Sequence, residues 1–349
     1  MSKRSFYIPE SMADDYQQAI IAKKVDRSMV VKGCAGSGKS LLALWKTHSI
    51  SSMGLGSVLF VVFNRSLQKY ITDGLEEMKI FNVDVQRINK CFKWSVDENN
   101  QWVMGPWSMG DYDYIIVDEA QDLTEAQIQA LRQHARKSLA LYGDSAQQLY
   151  KTSRSTVSME DIGYITRYPL EQLVFNHRLP RKIARLAECL NPQGDELVDR
   201  CKTEGVNKPY ILYYPTIDMQ LDAIQSIIEN QNLEDVGILF SRKDDISYAK
   251  AYLEQQGCSV EVNLDDKTEL NFESTNPKLM TYQSSKGLQF ETVFLPNCNE
   301  EISVNALYVA MTRAYQTLYI MHSGDISPFL AEAPNDLYEE SLEKETEYL

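Results

Sequence analysis

The chain has 349 residues, 44% of them hydrophobic and 24% charged, which is ordinary for a folded protein and enough for two domains. No apolar run approaches the roughly 18 residues that a membrane span needs, and the amino terminus lacks the apolar stretch of a signal peptide. The six cysteines are scattered without a Cys-x-x-Cys pair. These features argue against a zinc or iron–sulfur site and a disulfide framework, and we expect a cytoplasmic protein without membrane contact.

The net charge of −14 is unfavourable for binding nucleic acid, although a local basic groove can exist on an acidic protein. Part of the acidity lies in the last eleven residues, EESLEKETEYL, which contain five glutamates and one lysine. We expect this end to be a solvated, partly disordered tail or a short partner-binding segment.

Short β-branched or aromatic runs alternate with amphipathic segments, which predicts parallel sheets covered by helices on both faces. The predicted strands are 28–33, 58–63, 114–119, 138–143, 172–175, 210–215, 236–240, 279–283, 292–296 and 317–321. Ten strands are many for one sheet, so we place a split near 152–168. The chain then divides into α/β domains at 1–165 and 166–328 and an acidic tail at 329–349.

A glycine-rich stretch follows the first predicted strand and opens a helical pattern. Its sequence, GCAGSGKS, fits G-x-x-x-x-G-K-[ST] in full, and its context is the one that a phosphate-binding loop requires. Glycines let backbone N–H groups converge on phosphate oxygens, and the helix N-terminus favours negative charge. The residues expected to hold the nucleotide are Gly33, Gly36, Ser37, Gly38, Lys39 and Ser40. Lys39 would reach the β- and γ-phosphates, and Ser40 would hold Mg²⁺.

The segment 85–96, VQRINKCFKWSV, mixes basic and aromatic side chains. Arg87, Lys90 and Lys93 lie among Phe92 and Trp94, a combination that suits a nucleic-acid strand held by charge and stacking. The alternative is an amphipathic helix with a solvated basic face.

The strand around YIIVDE supplies the second part of a triphosphate site. Asp118 ends the apolar run and can sit beside Mg²⁺, while Glu119 can polarise the attacking water as a general base. A lone Asp-Glu pair is weak, but with the phosphate loop it indicates an ATPase that uses ATP and Mg²⁺.

Further motifs resemble the UvrD/Rep-like branch of the superfamily 1 helicases, over about residues 12–325. The matching stretches, in the family's order, are VLFVVFNRSL, VDEAQD, LYGDSAQQLY, LVFNHRLPRKI, LMTYQSSKGLQF and LYVAMTRAYQTLYI. The resemblance implies two tandem RecA-like P-loop NTPase domains with ATP bound in the cleft between them.

The family's catalytic roles fall on matching positions. Gln147 would couple the γ-phosphate to the nucleic-acid groove. Gln121 is expected at the interface between the two domains. Arg178 and Arg313 would act as arginine fingers, because transition-state charge on phosphoryl oxygens needs cations.

The resemblance also implies contacts to the base and the ribose. A glutamine before the phosphate loop is expected to read adenine; Gln17 fits better than Gln18, which stays open. Gly287 and Gln289 are expected near the nucleotide, although Gln289 replaces the family's usual glutamate and this weakens an expected ribose contact. Gln283 stands where the family usually has a histidine.

Nucleic-acid contacts are implied at two motifs and at one aromatic position. The candidates are Phe63, Asn64, Arg65, Tyr150, Ser285 and Lys286. Trp94 is a further stacking candidate, since the aromatic-rich sequence that often follows the third motif is absent.

The large insertions of bigger relatives are missing, which favours translocation on single strands over vigorous unwinding. We therefore expect a DNA-stimulated ATPase that moves along single-stranded DNA, 3′ to 5′ by resemblance. The alternatives are a nucleotide-gated ATPase subunit of a nuclease-containing defence or repair complex, with a nuclease or loading factor as partner, and an RNA translocase.

Overall fold

The computed structural model describes residues 12–148, 155–190, 196–263, 270–299 and 303–341. The chain forms two compact units, Met1–Val174 and Phe175–Leu349. Each unit contains a six-stranded sheet in which every recorded pairing is parallel, with helices packed against it. The predicted fold class, two α/β domains with parallel sheets flanked by helices, is confirmed.

The elements of the first unit follow the predicted alternation. Its strands are β1 (Met29–Gly33), β2 (Val58–Val62), β3 (Val83–Arg87), β4 (Phe92–Val96), β5 (Trp102–Trp107), β6 (Tyr112–Val117), β7 (Ala135–Gly143) and β8 (Leu170–Leu173). Its helices are α1 (Asp15–Ile21), α2 (Lys39–Ser52), α3 (Arg65–Glu77), α4 (Glu125–His134) and α5 (Met159–Thr166). The six-stranded sheet has the order β3-β2-β6-β7-β1-β8.

The strands of this sheet are apolar on both faces because helices cover both faces. Neighbouring residues of β1 illustrate this: Val31 packs with Leu42 of α2, whereas Val30 packs in a second cluster with Ile128 of α4. Because successive side chains of a strand point to opposite faces, each strand contributes to two separate apolar layers. The layers hold β1, β6 and β7 side by side, with their carboxyl ends at one edge.

The first unit extends further along the chain than the sequence predicts. Strand β8 pairs with β1, with Val30 opposite Leu170, so it belongs to the first sheet. The boundary expected between residues 165 and 166 falls inside α5, and the two units divide after Val174. Strand pairing between distant segments decides this, and a local sequence pattern does not contain that information.

A two-stranded hairpin replaces the amphipathic helix that was the alternative for 85–96. Strands β4 and β5 pair antiparallel, with Trp94 opposite Met104 and Val96 opposite Trp102. The pairing fixes one apolar face on which Trp94 and Trp102 are exposed. At the base of the hairpin Phe92 meets Trp107 edge to face, with ring centroids 5.4 Å apart.

The second unit carries the remaining elements. Its strands are β9 (Tyr210–Tyr213), β10 (Val236–Phe240), β11 (Glu261–Val262), β12 (Lys278–Thr281), β13 (Phe290–Leu295) and β14 (Ala314–His322). Its helices are α6 (Arg181–Glu188), α7 (Leu197–Arg200), α8 (Ile217–Gln231), α9 (Lys243–Gln255), α10 (Val304–Met311) and α11 (Pro328–Ala331). The sheet order is β11-β12-β10-β13-β14-β9. All ten predicted strands coincide with observed strands, and β3, β4, β5 and β11 were not predicted.

The acidic tail does not begin at residue 329, which corrects the expectation from the sequence. Helix α11 is followed by a segment that joins the edge of the second sheet, where the Ile211 amide donates to the Glu339 carbonyl at 2.9 Å. Lys208 adds an ion pair to the Glu339 carboxylate at 3.4 Å. Residues 342–349, the last eight of the expected tail, lie outside the described residues.

No helix in the described part of the chain is both long and apolar enough to cross a bilayer.

Candidate functional site

The glycine-rich loop joins the carboxyl end of β1 to the start of α2. Gly36 and Gly38 adopt positive φ angles of 74° and 86°, a conformation that favours glycine. A Cβ on Gly38 would lie 2.6 Å from Gln17 Nε2, so close packing also demands glycine there. The loop therefore lies at the N-terminus of a 14-residue helix, where backbone N–H groups can bind an anion.

Two side chains of the loop test whether a phosphate group would fit. The Lys39 ammonium is buried and donates to the carbonyls of Gly33 and Cys34, both at 2.9 Å. Ser37 is 1% exposed, and its hydroxyl oxygen has no hydrogen-bond partner among the described residues. A buried hydroxyl without a partner is costly, and an anion in the loop would satisfy it. The residues present therefore fit a phosphate group.

Gln17 is the glutamine that reaches the loop. It belongs to a capping box at the start of α1, and its Nε2 donates to the Ser37 carbonyl at 3.0 Å. Gln18 instead donates to the Ala13 carbonyl at 2.8 Å. The structure thus places Gln17 beside the loop and directs Gln18 away from it.

Acidic side chains follow β6, which lies two strands from β1 in the sheet. The Ser40 hydroxyl donates to Asp118 Oδ2 at 2.5 Å. Burial, with a further contribution from the neighbouring Glu119, raises the pKa of Asp118. A hydroxyl and a carboxylate are oxygen ligands of the kind that Mg²⁺ takes alongside substrate phosphates. Among the described residues no cluster of three His, Cys, Asp or Glu side chains forms a separate metal site.

Glu119 adopts a backbone conformation that is uncommon outside glycine, with φ at 60°. Its carboxylate accepts a hydrogen bond from Gln121 Nε2 at 2.6 Å. The side-chain oxygen Oε1 of Gln121 in turn accepts from the Asp144 backbone amide at 3.0 Å. Gln121 therefore links two loops within the first unit, in addition to any role at the interface implied by the resemblance.

Asp144 is a site residue that the sequence reasoning did not single out. It follows β7, and its carboxylate accepts from Gln147 Nε2 at 2.7 Å. Burial raises the pKa of Asp144, while Lys39 opposes that effect. The Gly-Asp pair after a predicted strand was the available signal. Gly143 is required as well, because a Cβ there would meet Gln121 Oε1 at 2.5 Å.

In the second unit, Arg178 is held from two directions. Its Nη1 donates to Gln289 Oε1 at 2.5 Å, and its backbone N–H donates to Asn176 Oδ1 at 3.0 Å. Gln289 stands directly before β13, and Gly287 nearby has a φ of +82°. The structure thus brings Arg178 and Gln289 together.

Arg313 stands directly before β14, the strand next to β13. Its guanidinium is buried and donates to the carbonyls of Val309 at 2.8 Å and Leu288 at 3.2 Å. The Arg313 carbonyl accepts from the Phe290 amide at 2.9 Å, which ties it to the residue after Gln289. Arg178, Gln289 and Arg313 therefore form one cluster within the second unit.

The nucleic-acid candidates have less uniform surroundings. Phe63 packs against the first unit's core, and Asn64 caps α3 by accepting from the Leu67 amide at 2.7 Å. Arg65, the first residue of α3, is partly exposed. Tyr150 lies outside the described residues.

Ser285 and Lys286 are both buried, and the Ser285 hydroxyl donates to the Tyr282 carbonyl at 2.8 Å. Their expected role as contacts to nucleic-acid phosphates stays a prediction.

Comparison with known proteins gives two family matches. Residues 17–153 match a model described as an AAA domain, and residues 279–321 match the UvrD-like helicase C-terminal domain. A candidate ATP-dependent DNA helicase of Acanthamoeba polyphaga mimivirus is 24% identical to the chain. The match covers 59% of this chain and 34% of the relative, so the chain spans about a third of that relative's length.

Two solved structures share similarity with the chain at low overall agreement. The arterivirus nonstructural protein 10 helicase in complex with DNA is 16% identical, with a TM-score of 0.44, over 89% of this chain and 63% of that one. The C-terminal domain of a possible DNA helicase from Lactobacillus plantarum WCFS1 is 19% identical, with a TM-score of 0.37, over 47% of this chain and 98% of that one.

The first family match contains the phosphate loop, Asp118 and Glu119, and the second contains Gln289 and Arg313. Their order along the chain agrees with the order of the motifs. The two matched segments and the mimivirus relative show that the chain is similar to UvrD-like helicases, in agreement with the resemblance of its motifs.

Proposed function

We propose that the chain hydrolyses ATP and uses the energy to move along single-stranded DNA, in the 3′ to 5′ direction by resemblance. The observation that carries this proposal is the group of side chains beside the phosphate loop. A buried Ser37 hydroxyl without a partner, the Lys39 ammonium and the Ser40–Asp118 pair lie around one helix N-terminus. Such a group suits a triphosphate and little else.

Within this proposal Lys39 exchanges its two loop carbonyls for phosphate oxygens of ATP. The exchange is favourable because a charged donor binds an anion more strongly than it binds a carbonyl. Ser40 and Asp118 would hold Mg²⁺, which neutralises charge on the phosphates when it is bound. Gln17, through its bond to the Ser37 carbonyl, would fix the loop beside the base.

Glu119 would act as the general base that takes a proton from the attacking water. Its carboxylate is already oriented by the hydrogen bond that it accepts from Gln121 Nε2. The Gln121–Asp144 bond and the Asp144–Gln147 bond extend this chain of contacts to the third motif. Gln147 is therefore proposed to report the state of the γ-phosphate.

Arg178 and Arg313 are proposed to supply positive charge to the phosphoryl group in the transition state. Each is placed by hydrogen bonds inside the second unit. A guanidinium suits this role because it stays charged and can bind two oxygens at once.

The strand contacts are proposed at Phe63 and Arg65, which follow the carboxyl end of β2. The exposed Trp94 and Trp102 of the hairpin add rings on which bases can stack. Similarity to helicases supports nucleic acid as the partner, and a nuclease or loading factor is proposed as a protein partner.

The test is the rate of phosphate release with and without defined strands of DNA and RNA, at several salt concentrations. We expect single-stranded DNA to raise the rate at least tenfold, and Lys39→Ala to abolish it. Stimulation by RNA alone would replace DNA as the substrate in this proposal. ATP hydrolysis that no strand stimulates would instead support a nucleotide-gated subunit, a candidate favoured by the net charge of −14.

A further inference from the structure

The Arg178 guanidinium is held by an amide where its neighbours are held by a carboxylate. Arg181 and Arg185 of α6 both form ion pairs with Glu204, at 3.5 and 3.1 Å. Arg178 donates to Gln289 Oε1, and no carboxylate of the described residues forms an ion pair with it. Arg181 and Arg185 are therefore each paired with a negative charge, whereas Arg178 is held by a neutral group.

A second amide fixes the backbone that carries Arg178. Asn176 is fully buried, and its Oδ1 accepts from the amides of Arg178 at 3.0 Å and Leu179 at 2.9 Å. The main chain is held at Asn176 and the head group at Gln289, and neither amide bears a charge. The remaining guanidinium N–H groups of Arg178 have no partner among the described residues, and the side chain is exposed. They are free to bind an anion.

On the basis of the proposed ATPase function, we infer that Gln289 is a positioning residue that aims Arg178 without neutralising it, and that it does not contact the ribose. A carboxylate at this distance would form a charge-assisted pair with the guanidinium and compete with phosphate oxygens for it. A neutral amide gives the same direction with a weaker hold. The glutamine at a position where the family usually has glutamate thus keeps Arg178 available.

The experiment compares Gln289→Glu, Gln289→Met and Arg178→Ala, and the two double variants, by steady-state ATPase assays with single-stranded DNA. Gln289→Glu keeps the acceptor and adds a charge, whereas Gln289→Met keeps the approximate length and removes the acceptor. We expect Gln289→Glu to lower kcat about tenfold and Gln289→Met about fivefold, with KM for ATP changed less than twofold. In the Arg178→Ala background both changes should alter kcat less than twofold, since the residue they act through is gone.

A second readout separates positioning from a ribose contact. Under our inference the ratio of kcat/KM for ATP to that for 3′-deoxy-ATP is the same in the wild type and in Gln289→Met. A ribose contact predicts that the variant loses this discrimination. Thermal unfolding checks that each variant is folded, and Gln289→Glu alone decides the matter if Gln289→Met is unstable.

The inference is overturned if Gln289→Glu retains the wild-type kcat, if its effect persists without Arg178, or if the ATP to 3′-deoxy-ATP ratio changes more than fivefold. Failure of the proposed function looks different, because the wild type and Lys39→Ala would then release phosphate equally slowly. In that case the inference falls together with the function on which it rests.

Discussion

The two units share one kind of sheet but place their candidate residues at opposite edges. In the first unit the phosphate loop, Asp118 and Asp144 follow the carboxyl ends of the adjacent strands β1, β6 and β7. In the second unit Gln289 and Arg313 stand immediately before the amino ends of β13 and β14. The first set is rich in acidic groups beside a helix N-terminus, whereas the second contributes guanidinium groups.

This difference agrees with the separate roles proposed for the two units. The carboxyl edge of a parallel sheet leads into helix N-termini, which attract phosphate and allow carboxylates to hold a metal ion. In the second unit Arg313 donates to the carbonyls of Val309, in α10, and of Leu288, in the segment before β13. Rigid fastening suits a cation that must meet charge formed only in the transition state.

The largest expected effect concerns Arg313 in the second unit. We expect Arg313→Ala to lower ATP turnover by about 10³-fold or more, as losses of arginine fingers do. Steady-state phosphate release measures this, with thermal unfolding as a check because Arg313 is buried. The exposed Arg242, substituted by Ala, is the matched control and should leave turnover unchanged. A loss below tenfold for Arg313→Ala would remove it from the catalytic set.

The next largest effect concerns Glu119 in the first unit. Glu119→Gln should keep ATP binding and reduce turnover by roughly 10³-fold, since an amide cannot accept the proton. Equilibrium binding of a fluorescent ATP analogue and single-turnover hydrolysis separate the two quantities. Turnover at the wild-type rate would show that another group is the base.

A smaller effect tests whether the carboxylates of the first unit need the amide between them. Gln121→Met removes both side-chain hydrogen bonds that join Glu119 to the Asp144 loop. We expect turnover to fall about tenfold while ATP affinity changes less than twofold, because only the orientation of the base is affected. Gln129→Met on the surface of α4 is the control. Equal behaviour of the two variants would show that Gln121 has no orienting role.

The smallest expected effect concerns Lys46, a lysine of the first unit that lies outside the candidate site. Burial lowers the pKa of Lys46 to about 8, and its ammonium donates to the Val25 carbonyl at 2.7 Å. Because the folded pKa is below the unfolded value of 10.5, charging this lysine costs about 3 kcal/mol of stability at pH 7. The lost hydrogen bond offsets about 1 kcal/mol of what Lys46→Met would gain.

We therefore expect Lys46→Met to raise the free energy of unfolding by roughly 1 kcal/mol at pH 7, allowing for incomplete burial. The gain should be constant below about pH 8 and shrink as pH rises toward 10.5, where the lysine is neutral in both states. Urea unfolding at pH 7 and pH 9.5 measures it. A destabilised variant at pH 7 would mean that the bond to Val25 outweighs desolvation.

Sequence patterns alone predicted ten of the fourteen described strands, the phosphate loop and the acids after β6. These follow from local rules, because apolar runs mark buried strands and glycines mark the positive φ angles of Gly36 and Gly38. The motifs that precede β13 and β14 were also readable, since strand ends are local features. The nucleic-acid contact of Tyr150 and the tail at 342–349 stay predictions, because both lie outside the described residues.

Which of these residues contact one another depends on the packing of the folded chain. Gln17 contacts a residue 20 positions away, Gln121 contacts one 23 positions away, and Arg178 contacts one 111 positions away. The pairing of β8 with β1 moved the boundary for the same reason. Contacts between distant segments depend on which strands pair and which layer each side chain enters, and the free energy that selects them belongs to the packed chain as a whole.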